Sequence, residues 1–239
     1  MRVGLAPGTK WRYSGGGYTL LQLIVEEVSG QSFEAYMRRA VFQPLGMNRS
    51  TYSAEAGLSN VATFFDRDGA IATHYRFTSL AAASLYTSAM DMTRFAGAHV
   101  RGPTGEPPGR GVLAPATLAL MRRSHGTRFG VEIWGLGTML YAPNGAGDFL
   151  IGHDGNNEPA INTAVRLDPS TGDGIVILET GNRLLATELA GDWVYWKIRS
   201  IDFLAFSMAS VTIIRLVAGG WAVLIVTTLV TLWRAAVHR

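Results

Sequence analysis

Pro7-Gly8-Thr9-Lys10-Trp11-Arg12-Tyr13-Ser14-Gly15-Gly16-Gly17-Tyr18 leads directly into Thr19-Leu20-Leu21-Gln22-Leu23-Ile24-Val25. A tyrosine and a glycine run stand at the head of an apolar pattern of helical period. Leu20, Leu21, Ile24, Val25 and Val28 share one side, Glu26 and Glu27 take the other, and Gly30 supplies a stop, so a helix is predicted over 18–29. Ser32 is a suitable N-cap for a second helix over 33–42, closed by Pro44. A third helix is expected over 81–98, ahead of a Gly/Pro-rich exposed loop at 101–111. The period then changes. Residues 133–141, 149–153, 161–167 and 175–179 read as strands, the last two flanking the turn Asp168-Pro169-Ser170-Thr171-Gly172-Asp173-Gly174. An amphipathic helix is predicted over 183–199. Helices first and an antiparallel meander later make this a mixed α/β (α+β) chain.

Composition narrows the function classes. The 239 residues are 48% hydrophobic and 16% charged, with a net charge of +3 that is not gathered in a basic block, so nucleic acid is not expected as a partner. Arginine outnumbers lysine 19 to 2. Cysteine is absent, which excludes disulfides, thiolate catalysis and Cys metal sites. His74, His99 and His125 have no metal-ligand spacing, and no P-loop follows the Gly15-Gly16-Gly17 run, so neither metal nor cofactor is expected. The first seven residues contain no apolar signal-peptide core.

A second motif, Gly152-His153-Asp154-Gly155-Asn156-Asn157, stands far downstream of the tyrosine. Together with Phe42-Gln43-Pro44-Leu45-Gly46-Met47 ahead of Thr51, and Ala82-Ala83-Ser84-Leu85-Tyr86-Thr87-Ser88-Ala89-Met90-Asp91-Met92, these stretches resemble the β-lactamase-related serine hydrolases. The likeness is to class C β-lactamases and the penicillin-binding-protein-like esterases and D-aminopeptidases, over about residues 7–196. It implies a β-lactamase/transpeptidase-like fold, an antiparallel sheet with flanking helices and a helical subdomain, incomplete at the N-terminus, and residues 113–122 resemble one of that family's helices. It also implies hydrolysis of an ester, amide or β-lactam through an acyl-serine, with a small-molecule or peptide-like substrate in a cleft.

By that resemblance Tyr13-Ser14-Gly15 matches the Tyr-x-Asn motif, and Tyr13 is the catalytic base or proton relay. Gly15 replaces the asparagine, which tilts the comparison towards esterase-like relatives. Without the resemblance Tyr13 is only an aromatic at a loop-helix junction, and Ser14 reads as a turn or cap residue. Gly152-His153-Asp154-Gly155 matches the Lys-Thr-Gly element in its His-x-Gly form. Alternation along a strand would point His153 and Gly155 into the cleft and Asp154 away from it. His153 is then expected to hold a substrate carboxylate or to support proton transfer by Tyr13. Gly155 would leave room for substrate, and the Asn156 amide would be an oxyanion donor. The expected site is therefore Tyr13 and His153 as catalytic groups, with Ser14, Gly15, Gly155 and Asn156 contacting substrate. Asp154 in place of a small residue, and Pro159 near a usual glycine, depart from the pattern.

The nucleophile motif is the missing part. A serine needs a lysine one helical turn away to take its proton. The two lysines, Lys10 and Lys197, are preceded at three residues by Pro7 and Val194, so no Ser-x-x-Lys exists in the chain. Three readings follow: an N-terminally truncated hydrolase, inactive as this chain; a non-catalytic membrane protein that binds or senses through the remaining cleft; or a gene fragment. Residues 216–233 are uncharged and bounded by Arg215 and Arg234, long enough to cross a bilayer. The expected organisation is a hydrolase domain at 1–200, a single transmembrane anchor at 203–234 and a tail at 235–239. Trp233 would sit at the interface. Lys197, Arg199 and Arg215 against Arg234 and Arg239 do not orient the anchor by the positive-inside count. The family likeness places the domain outside the cytoplasm.

Overall fold

Six antiparallel strands follow one another across the sheet in chain order: β1 (Gly126–Arg128), β2 (Val131–Trp134), β3 (Met139–Pro143), β4 (Phe149–Asn157), β5 (Ile161–Leu167) and β6 (Gly174–Thr180). The structure is a computed structural model that describes residues 4–6, 8–53, 60–73, 76–158 and 160–237. Pro7, His74, Pro159 and Arg239 of the readings above lie outside the described residues. The expected fold class, an antiparallel sheet with helices, is the one observed.

The sheet centre is β4–β5, in unbroken register from Ile151 opposite Leu167 to Asn157 opposite Ile161. Period-2 burial along β5 turns Asn162, Ala164 and Arg166 to one face. On that face α6 (Leu185–Ile198) packs Ala186 and Ala190 against Ala164, and Val194 joins Tyr141, Ala142 and Leu150. The helical part comprises α1 (Gly15–Ser29), α2 (Phe33–Met37) continued by a π-helical turn (Arg38–Phe42), α3 (Leu80–Ala83), α4 (Ala89–Gly97) and α5 (Pro115–Met121). Two segments singled out in the sequence are bonded to each other here. Thr51 and Tyr86 exchange backbone hydrogen bonds of 2.9 Å, and the Ser50 and Thr87 hydroxyls lie 2.8 Å apart. Fully buried Asp91 on α4 accepts from the Arg49 amide (2.7 Å) and the Ser50 hydroxyl (2.9 Å).

Three predicted elements differ from the observed ones. The helix expected over 81–98 is two helices, because Tyr86 pairs with Thr51 and the Ser88 hydroxyl caps a new start by accepting from the Asp91 amide (3.2 Å). The strand expected over 133–141 is a hairpin of β2 and β3. Gly137 at φ 84° turns the chain, and Gly135 lies too close to the Met121 carbonyl for any side chain. The last turn of the 33–42 helix is π rather than α. Strand β1 was not anticipated.

The C-terminal run is one helix, α7 (Phe203–Val237), 35 residues and about 52 Å long at ~1.5 Å per residue. It is the one described helix long and apolar enough to cross a membrane, and no residue in it is buried. Only its start meets the sheet, where Phe203 stacks on Tyr141 at 5.7 Å and Leu204 joins the same core.

One buried base outside the cleft sets a pH dependence. His99, 8% exposed, lies edge-on to Phe95, and Arg122 donates to its carbonyl (3.2 Å). Burial, with the Arg122 charge adding to it, pushes the imidazole down to about 4. The unfolded chain would protonate this ring near ~6.5, so stability is fully present above that pH and is lost as pH falls towards 4. Thermal midpoints in detergent are expected to fall over this window, and His99→Gln is expected to flatten the slope. A slope unchanged by that substitution would remove His99 as its source.

Candidate active site

Tyr13 precedes α1 and is held by aromatic packing. Its ring meets Trp134 of β2 edge-on at 5.5 Å, and Trp134 in turn contacts Trp11 at 5.3 Å. Gly126 makes room for Trp11, since a β-carbon there would stand 2.5 Å from the indole ring. Ser14, next in the chain, is the N-cap of α1: its hydroxyl accepts from the Gly17 amide at 3.1 Å. Gly30 in the left-handed region (φ 65°) ends the helix.

From β4, His153 reaches the same cluster, 5.6 Å from Trp134 and 6.4 Å from Tyr13 between ring centroids. Residues about 140 positions apart in the chain thus form one aromatic wall. That wall borders an open cleft of about 1580 Å³, lined among others by Gly15, Tyr18, Tyr52, Arg76, Gly155 and Asn156. Ser14 is not among its lining residues. Asn156 holds α6's approach by donating from its side-chain amide to the Arg183 carbonyl (2.7 Å).

The state of His153 follows from its surroundings. Its Nδ1 lies 2.7 Å from the Asp154 carbonyl oxygen, which can only accept, so Nδ1 carries the proton and Nε2 is the acceptor. Burial pushes the imidazole below the usual histidine range and outweighs the opposing hydrogen bond and carboxylate of Asp154; Arg166 adds to the lowering. Burial also raises the Tyr18 phenol, and the neighbouring Tyr13 adds to this.

Asp154 points to the other face. Its carboxylate accepts from the Tyr141 hydroxyl, from Thr187 (2.9 Å) and from the Arg166 guanidinium (2.9 Å). The departure from pattern noted in the sequence is thus a charge held under the strand, clear of the cleft. Trp11, Trp134, Tyr141, Arg166 and Asp202 had no part in the sequence reading. The available signal was Arg166, a charge at an inward position of an otherwise apolar strand. Among the described residues no cluster could hold a metal ion.

A family model, Beta-lactamase, matches residues 2–198. The chain belongs to the beta-lactamase family. A curated member, penicillin-binding protein 4 of Amycolatopsis lactamdurans, is 30% identical over 208 residues, covering 77% of this chain and 54% of that protein. The chain therefore spans about half the length of that relative. A stretch of 44 residues, 18% of this chain and 10% of the relative, is 41% identical to penicillin-binding protein 4* of Bacillus subtilis (strain 168). Among solved structures, a β-lactamase/D-alanine carboxypeptidase from Pseudomonas syringae superposes with a TM-score of 0.66 at 15% identity, over 83% of this chain and 62% of that one. An octameric penicillin-binding protein homologue from Pyrococcus abyssi gives 0.62 at 24% identity, over 80% and 43%. These beta-lactamase-family likenesses establish the fold.

Two glycines of the His-x-Gly strand should respond differently to a methyl group. At Gly152 a β-carbon would collide with the Val165 carbonyl oxygen, a backbone atom of the paired strand. At Gly155 it would meet only the rotatable Thr163 hydroxyl, at 2.5 Å. Gly152→Ala is expected to lower stability by about 3 kcal/mol or more, and Gly155→Ala by about 1 kcal/mol or less, in denaturant titrations. Equal losses would contradict this account of the β4–β5 contact.

Proposed function

We propose that this chain forms two walls of an acyl-transfer cleft, with Tyr13 and His153 as its proton-handling groups. The carrying observation is their meeting across Trp134 at the edge of the cleft. In this reading a carbonyl substrate, an ester or amide, lies along β4 beside Gly155 and Gly15. The Asn156 amide donates to its oxygen, while Ser14, the cap of α1, holds the start of that helix beside it. Where an activated hydroxyl is supplied from outside these two walls, Tyr13 takes its proton and returns it to the leaving group. A neutral His153 with its proton on Nδ1 presents Nε2 as an acceptor, so it suits support of the tyrosine. Holding a substrate carboxylate would need a second proton on the ring, which its burial opposes.

The absence of Ser-x-x-Lys from these 239 residues leaves the polypeptide without an activated serine, so alone it would bind and not acylate. A fluorescent penicillin and a fluorophosphonate are expected to label none of its serines. Labelling lost on changing a single serine would overturn that. Saturable binding of a D-amino-acid ester is expected to weaken about tenfold in Tyr13→Phe or His153→Ala, and binding unaffected by either would remove these residues from the cleft. A second reading, a membrane-held binding or sensing module, would be supported by saturable binding without turnover.

In this proposal α7 anchors the chain as a single pass through the bilayer, with the hydrolase domain outside the cytoplasm. The chain is expected to remain in the membrane pellet after carbonate extraction, and the domain to be digested by protease added to intact spheroplasts. Release by carbonate, or protection until lysis, would refute the anchor or the orientation respectively.

A further inference from the structure

Arg166 has no exposed surface, and its guanidinium cannot shed its charge. It sits between two carboxylates: Nη1 to Asp154 Oδ2 at 2.9 Å, and Nη2 to Asp202 Oδ2 at 3.4 Å, with Cζ 3.4 Å above the Tyr141 ring. Its Nε has no partner, so the two acids, the ring and the Val165 carbonyl that accepts from Nη1 (3.1 Å) are what compensate the ion. Asp202, equally buried, is the residue from which α7 starts. Its Oδ1 accepts from the Ala205 amide (2.6 Å) and its carbonyl from Phe206 (3.0 Å). Asp154, at the other end, is the residue whose carbonyl holds His153 Nδ1. A second route reaches the same acid: Phe203 of α7 stacks on Tyr141, whose hydroxyl bonds Asp154.

We infer that Arg166 and Asp202 are positioning residues for His153, so that the seat of α7 on the domain sets the geometry of the strand lining the cleft. The inference rests on the reading of β4 as a wall of that cleft. A tilt or rotation of α7 moves Asp202, and the Arg166 ion must follow or lose its partner. Either change alters the hold on Asp154, which precedes Gly155 and carries the carbonyl that fixes the imidazole. The groups against the His153 ring are Tyr13 from the loop before α1 and Trp134 from β2, while the charges of Asp154 on its own strand and Arg166 of β5 act on it from the opposite face.

The test uses the full chain in phosphatidylcholine nanodiscs, with histidines labelled by ¹⁵N and His153 assigned through His153→Gln. Asp202→Asn keeps the size and the capping role while removing the charge. With less acid to share, Arg166 acts more strongly on the ring, and the His153 midpoint is expected to fall by about half a pH unit. Arg166→Gln, where it folds, is expected to move the midpoint up, because the Asp154 carboxylate is then uncompensated. Asp202→Glu should restore the wild-type titration in part. Val194→Ala, which loosens the same core without touching a charge, should leave the midpoint in place. An unchanged titration in Asp202→Asn, or an equal shift in Val194→Ala, would overturn the inference. The readout needs no ligand, so a failure to bind or turn over any ester would count against the proposed function alone.

Discussion

A guanidinium shut away from water constrains most of this molecule. Arg166 is fully buried, and a buried ion is tolerated only with close, well-bonded partners. Its two acids come from opposite ends of the architecture: Asp154 from the central strand and Asp202 from the start of the apolar helix. A slip of one residue between β4 and β5 would turn Arg166 to the cleft face and leave both carboxylates unpaired. If β4 slipped instead, His153 and Gly155 would be the residues turned away from the cleft. Register, the direction of the site residues and the docking of the C-terminal helix are therefore held by one set of contacts. Thr187 extends the set, since it donates to Asp154, while its amide and hydroxyl engage the Asn162 side chain, pinning α6 to both strands.

On the opposite face, ring packing replaces charge as the organising contact. Tyr13 is half-exposed and lies outside any regular element, so no backbone ladder places it. Trp134 does so, standing between Trp11, Tyr13 and His153, with Gly126 admitting the Trp11 ring. Edge-to-face contacts of this kind add about 0.5–1.5 kcal/mol each beyond burial, enough to bias an exposed loop without freezing it. In the proposed reading Tyr13 would benefit from that balance, because a hydroxyl that relays a proton must reach more than one partner.

The parts legible in the sequence were those governed by local periodicity or by residues with one structural use. Ser14, Gly30 and Ser32 cap helices, and the alternation in 161–167 gives a strand over those same residues. The 203–237 helix follows from its composition. The errors have a common origin in contacts that cross the chain. Nothing near residue 86 announces that its backbone pairs with Thr51 and breaks a helix there. Nothing in 133–141 announces that Gly135 lies against the Met121 carbonyl. Site residues were legible only through resemblance, and resemblance is silent about positions where this chain departs from its relatives. Asp154 looked like a defect because its partner, twelve residues away, could not be paired with it before the register was known.

That departure bears on what the His-x-Gly strand can do. A carboxylate next to a histidine would normally raise the imidazole's affinity for a proton, favouring a cationic ring suited to gripping anions. Here the carboxylate faces the buried side, shared with Arg166, Tyr141 and Thr187, and only the Asp154 carbonyl touches the ring. Burial then dominates, and the imidazole stays below its usual range. The ring's single proton is committed to a backbone acceptor, which leaves a lone pair at Nε2. A ring in that state can accept a proton at Nε2, and in the proposed reading a substrate chosen for its carboxylate would have to find its cation elsewhere, with Arg38, Arg49 and Arg76 among the residues that line the cleft.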